Sequence, residues 1–297
     1  MYVNISQWVC IMNELNPFNF LIKLLAEPFI RSALIAAISS SIVGGIVGSY
    51  VVAKRIVFLS GSISHSVLAG LGAALYLKKK FFIEWLDPIY GALVAAILSA
   101  WVVGYVHLKY REREDTVIGA LWACGMSIGV ILIAITPGNT MEISNYLFGN
   151  ILWSSNTDLS ILILLNIAII TVVAFFHTRF LAVCFDETQA RIQKISVTKM
   201  YFLLLSLVAI TVVILIQVVG AILVISILSL PAAVASSFTN NLIKTMILAI
   251  IIGLLTSVTG MGFSFVLDWP PGATIAFSTT VVYMFSLICK NNYFTRA

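Results

Sequence analysis

Apolar residues fall along this chain in blocks of about twenty, separated by short stretches that hold most of the charge, and a block of that length crosses a bilayer as a helix. Nine blocks read this way, over residues 30–52, 57–77, 88–108, 117–136, 159–177, 200–217, 218–238, 243–263 and 273–289. The sixth and seventh meet at Gly220 with almost nothing between them, so they read either as two crossings or as one broken pair, which gives eight or nine spans. Residues 15–29 mix apolar groups with Lys23 and Glu27 between two prolines, the pattern of a helix lying on the membrane surface. The expected organisation is an N-terminal interfacial segment over 1–29, one all-α, polytopic membrane domain over 30–290, and a short tail over 291–297.

Composition agrees with the pattern. Of the 297 residues 61% are hydrophobic and 10% charged, against roughly 25% charged in a soluble domain. The net charge of +5 comes from short connections between blocks, so it reports topology rather than a surface for nucleic acid. Residues 137–158 contain no Lys or Arg and read as external, as does VLDWPPG at 266–272, whereas 178–199 holds Arg179, Arg191, Lys194 and Lys199 and reads as cytoplasmic. These assignments put the N-terminus outside and the C-terminus inside; Lys78, Lys79 and Lys80 run against them. The first residues lack a basic region ahead of an apolar core and so do not resemble a cleavable signal peptide; insertion is expected to rely on the first span. Four scattered cysteines form no C-x-x-C pair, which argues against a disulfide framework or a structural zinc site.

Candidate chemistry concentrates in the second block, VFLSGSISHSVLAGLGAALYL, with one ionisable side chain, His65, near its middle. A polar group at that depth is costly and marks a functional site by default, although a neutral imidazole can also be satisfied by a hydroxyl on a neighbouring helix. Ser62 lies one turn before His65 on the same face, and Gly61, Gly70 and Gly72 allow close backbone approach. In the first block Gly44 and Gly48 form a small-x-x-x-small face, expected to pack on the His65 helix. Pro231, inside the seventh block, removes a backbone donor and frees a carbonyl, which gives a kink or a carbonyl turned to a pathway.

Within 178–199, Asp186 is placed to cap a short helix, with Gln189 three residues on in a capping-box arrangement. Glu187 suits the positive helix end, Arg191 stands four residues later for an ion pair, and Lys194 suits the other end. Such a solvent-facing helix between two spans is either a connector or a docking element. Other classes are excluded or disfavoured. The chain has no G-x-x-x-x-G-K-[ST], so it does not hydrolyse ATP through a P-loop, and no H-E-x-x-H. A serine hydrolase would need a convergent base and an oxyanion hole that adjacent Ser64 and His65 do not make.

Six stretches together resemble the permease subunits of metal-ion ABC transporters, the ABC-3 permease family: AKRIVFLSGSISHSVLAG, DTVIGALWACGMSIGV, NYLFGNIL, CFDETQAR, VVGAILVISILSLPAAVA and GFSFVLDWPPGATIAF. The resemblance covers roughly 29–289. It implies an ABC importer permease-like bundle in the bacterial cytoplasmic (inner) membrane, working as a homodimer with a separate cytoplasmic ATPase and an extracytoplasmic metal-binding protein. The chain would be no enzyme and hold no permanent cofactor. Its cargo would be a divalent transition metal, zinc or manganese ahead of iron, moved by alternating access. His65 matches the family's pathway histidine, and CFDETQAR matches the loop helix that docks on the ATPase, which assigns coupling to Asp186, Glu187, Ala190 and Arg191. This sequence has Gly61 where many members carry Asp, and Lys194 near where the loop usually has Gly. Ser62, Glu142 and Asp268 are then the candidates to complete the metal's path. The alternatives are a permease of the vitamin B12 and siderophore type and an ion-coupled secondary transporter; the latter needs a mid-span carboxylate that this chain lacks.

Overall fold

A computed structural model describes residues 28–83, 85–110, 114–137 and 156–294. Ten helices occupy these residues: α1 Pro28–Ala53, α2 Val57–Phe81, α3 Pro88–Tyr110, α4 Glu114–Ala134, α5 Asn156–Phe185, α6 Glu187–Ile192, α7 Val197–Val219, α8 Ala221–Phe238, α9 Leu242–Leu267 and α10 Pro271–Phe294. No strand occurs among them. Eight are long and apolar enough to cross a membrane, and α8 is the shorter ninth. At 18 residues it still reaches about 27 Å.

Pairwise contacts fix the direction of each helix. Asn166 bonds the Ser39 carbonyl and His177 meets Tyr50, so α5 runs parallel to α1. Gly45 faces Ile250 and Gly253 faces Ser41, so α9 is antiparallel to α1. Gly44 faces Ile227 while Gly48 faces Ala232, so α8 is parallel to α1. Ser62 on Ile118 and Gly72 on Ile133 make α4 parallel to α2; Gly70 on Ala95 and Gly91 on Ala74 make α3 antiparallel to both. Trp101 on Ser206 and His107 on Tyr201 set α7 antiparallel to α3, and Ser278 on the Thr256 carbonyl does the same for α10 and α9. Among the described residues, the nine long helices therefore alternate in direction, and the chain reverses at Gly220. That residue has φ 86° and ψ 158°, a region open essentially to glycine alone.

Two packed groups result. Helix α2 packs on α3 and α4; α1 packs on α8, α9 and α5, and α7 lies between the groups. Although only three residues join them, α1 and α2 hardly touch. Helices α1, α2 and α7 are central, with 72%, 72% and 67% of their apolar windows buried, whereas α3, α4, α9 and α10 bury 33% or less and present Ile, Leu, Val and Phe outward, as a lipid-facing surface must.

Two sequence expectations change, and the surroundings of Pro231 become visible. Gly44 and Gly48 pack on α8 and Gly45 on α9, so the small-residue face of α1 does not approach the His65 helix. Helix α5 continues past His177 to Phe185, because Phe180 and Val183 are buried and carry the helix beyond the apolar run. Helix α8 continues through Pro231. The carbonyl of Ile227, four residues back, loses its α8 partner and lies close to Gly44 of α1, where the missing side chain leaves room for a Cα–H contact.

Candidate metal pathway and coupling surface

The serines of α2 divide into two kinds. Ser60 donates to the Val57 carbonyl at 2.7 Å and Ser64 to the Ser60 carbonyl at 2.9 Å, both within the helix. Ser62 and Ser66 donate instead to Ile118 and Leu121 of α4, at 3.0 and 3.4 Å. Gly125 makes this approach possible, since a Cβ there would lie 2.6 Å from the Ser66 Cα. The polar stripe thus binds two helices together.

On the same side of α2, the imidazole of His65 stacks on the indole of Trp122 in α4, with centroids 4.3 Å apart and planes 14° from parallel. His65 is partly exposed. Stacking occupies a ring face, while the lone pairs of imidazole nitrogens lie in the ring plane, so the contact orients the ring and leaves its nitrogen edges available to a cation. One turn earlier, a Cβ at Gly61 would stand 3.5 Å from the Trp122 ring and 3.6 Å from Ile225 Cδ1 of α8, ordinary contact distances. Position 61 therefore faces the same aromatic wall as His65, and the chain leaves it without a side chain.

No group of three His, Cys, Asp or Glu among the described residues stands close enough to hold an ion. Asp268 closes the C-terminal end of α9, exposed and left-handed at φ 55°, at the end of the bundle opposite α6. Glu142 lies outside the described residues, as does nearly all of the expected interfacial segment at 1–29. The other two histidines lie on other helices: His177 shares a 2.6 Å hydrogen bond with Tyr50, and the His107 ring lies against Tyr201.

At the opposite end from Asp268, α6 has the expected start. Asp186 is its N-cap, and its carboxylate accepts from the Gln189 N–H at 2.9 Å. The helix ends with Ile195 N–H on the Ala190 carbonyl, Lys194 N–H on Arg191, and Lys194 at φ 60°, the paired bonds of a Schellman turn. Lysine therefore occupies a left-handed position that glycine would take without strain. Ala190 is fully buried, while Asp186 and Arg191 are exposed, as are the apolar Phe185 and Ile192. Glu187 pairs with Lys54, at 2.6 Å, rather than with Arg191 as its spacing suggested. Lys54 follows α1 in sequence, and only the folded chain brings it there.

Among the described residues, nine long apolar helices of alternating direction, a partly exposed imidazole within one of them and a capped polar helix at one end make a multi-pass membrane protein. Residues 26–290 match the ABC 3 transport family, and the chain belongs to it. It is 43% identical over 259 residues to a probable metal transport system membrane protein of Chlamydia pneumoniae, covering 87% of this chain and 88% of that one. It is 31% identical over 269 residues to the manganese transport system membrane protein MntC of Listeria monocytogenes, with 91% and 93% covered. Among solved structures it is similar to PsaBC from Streptococcus pneumoniae in complex with Fab, with a TM-score of 0.79 and 29% identity over 91% of this chain and 95% of the other. The protein is thus a multi-pass subunit of the ABC 3 transport family in the bacterial inner membrane.

Proposed function

We propose that this chain, as a homodimer, carries manganese or zinc across the inner membrane by alternating access, driven by a separate ATPase. The observation that carries the reading is His65, partly exposed within α2 and held by Trp122 with its nitrogen edges free. A single imidazole binds a divalent cation weakly, which suits a permease that must release what it takes up. An external metal-binding protein delivers the ion over residues 139–158 and 266–272, where Glu142 and Asp268 supply negative charge. Residues 30–290 act as one permease domain, and within its coupling segment at 178–199 the ATPase grips α6 through exposed Asp186 and Arg191, with buried Ala190 seating the helix.

The name of the Listeria relative supports manganese, whereas an imidazole without a nearby carboxylate favours zinc over manganese. Uptake of radiolabelled manganese, zinc and iron into vesicles holding the permease, its ATPase and its binding protein decides. Saturable ATP-dependent uptake of manganese or zinc is expected. Uptake of none of the three sinks the reading.

A further inference from the structure

The ion pair beneath α6 has a position that neither docking nor metal binding accounts for. Lys54 Nζ donates to Glu187 Oε1 at 2.6 Å and to the Val183 carbonyl at 3.1 Å, and it stands 5.6 Å from the centre of the Tyr201 ring. One ammonium thus touches the last turn of α5, the first residue of α6 and the first turns of α7. Its side chain is 13% exposed and that of Glu187 30%, so the pair is shielded from solvent on the lysine side.

Lys54 also belongs to the corner Lys54–Arg55–Ile56 that joins α1 to α2. Arg55 is left-handed there, at φ 63°, and the chain turns sharply into α2, which carries His65 two turns later. Since α1 and α2 belong to different packed groups and hardly touch, this corner is where the chain passes directly from one group to the other. On one side of it, α1 is fastened to α5 along its length by the Asn166–Ser39 and His177–Tyr50 bonds. On the other, α2 is fastened to α4 by Ser62 and Ser66.

We infer that Lys54 is a positioning residue for coupling: Glu187 holds it so that displacement of α6 is passed to the α1–α2 corner and reorients α2, and with it the His65–Trp122 stack, relative to α1. The inference rests on the proposed role of α6 in meeting the ATPase. Breaking the pair leaves both packed groups intact and removes the side-chain link from α6 to the α1–α2 corner, while α6 stays packed on α5 with Ala190 buried. The consequence is a loss of transport per ATP rather than a loss of hydrolysis.

The test uses the complete reconstituted complex with manganese(II) and zinc(II) as probes, and reads metal taken up per ATP hydrolysed. Lys54→Met is expected to keep the ATPase subunit bound through purification and to lower that ratio about tenfold, the factor a charged hydrogen bond commands. Glu187→Gln should lower it similarly, and Lys54→Met with Glu187→Gln together should be no worse than either alone, because both remove one link. Lys54→Arg, which keeps charge and reach, should retain most of the ratio. Unchanged ratios in the single variants, or losses that multiply in the double variant, overturn the inference. Loss of the ATPase subunit from Lys54→Met overturns it too, since the pair would then serve docking. If the unmutated complex moves neither metal, the transport reading fails by itself, and the link is then read in the position of α2: the accessibility of the Gly61→Cys thiol to a thiol reagent, with and without ATP, should change in the otherwise unmutated complex and not together with Lys54→Met, and an equal change in both overturns the inference.

Discussion

Ser62 shows how a residue picked out for its chemistry can be engaged elsewhere. Its hydroxyl proton goes to the Ile118 carbonyl in a fully buried contact, so its first role is to join α2 to α4 beneath the stack. Interhelical bonds of this kind in membranes average about 0.6 kcal/mol. Ser62→Ala is expected to lower resistance to denaturation by about that amount while metal uptake stays within twofold. A collapse of uptake with stability preserved would place the hydroxyl on the ion's path instead. His65 was legible because a lone ionisable group in an apolar block is conspicuous. Trp122 was not, since an aromatic residue in a lipid-facing helix carries no mark of the ring it will cover.

At the scale of elements, α6 was legible in nearly every local detail. Its cap and its acidic start follow from contacts between residues a few positions apart, which the sequence displays directly. Its unusual feature is the end, where Lys194 occupies a left-handed position that costs a residue with a Cβ roughly 1 kcal/mol. Lys194→Gly should therefore stabilise the turn by about that amount and slow hydrogen exchange at the amides of Lys194 and Ile195. Faster exchange at those amides would show that the lysine side chain holds the turn. What local reasoning missed is long-range. The partner of Glu187 lies 133 positions away, and Arg191, at helical spacing, was the nearer candidate. The glycines of α1 declare a close contact in the same way without declaring with whom; α8 and α9 take the places first given to α2.

Across the whole molecule, apolar block length gave the architecture, because satisfying the backbone in lipid leaves a helix as the economical state for each block. The doubtful junction at Gly220 is a reversal, so α7 and α8 are separate helices, and the nine long helices among the described residues alternate in direction. Lys78, Lys79 and Lys80 remain an exception, since they close α2 at the end opposite α6. The division into two packed groups lay beyond the sequence. It arises from glycine contacts between helices, as at Gly70 with Gly91 and at Gly125 with Ser66, and these depend on which helices meet. The division puts α2 in one group and α1 in the other.

On the proposed function, the imidazole of His65 meets the metal as it crosses. The most direct measurement is uptake of radiolabelled manganese and zinc by the complete complex with His65→Ala against the unmutated chain, with ATP hydrolysis recorded in the same vesicles. Uptake is expected to fall by at least about tenfold, the least that removing even an outer-shell partner of a metal site costs, while insertion and binding-protein-stimulated hydrolysis persist. Undiminished uptake of both metals would contradict it and make the histidine a packing partner of Trp122.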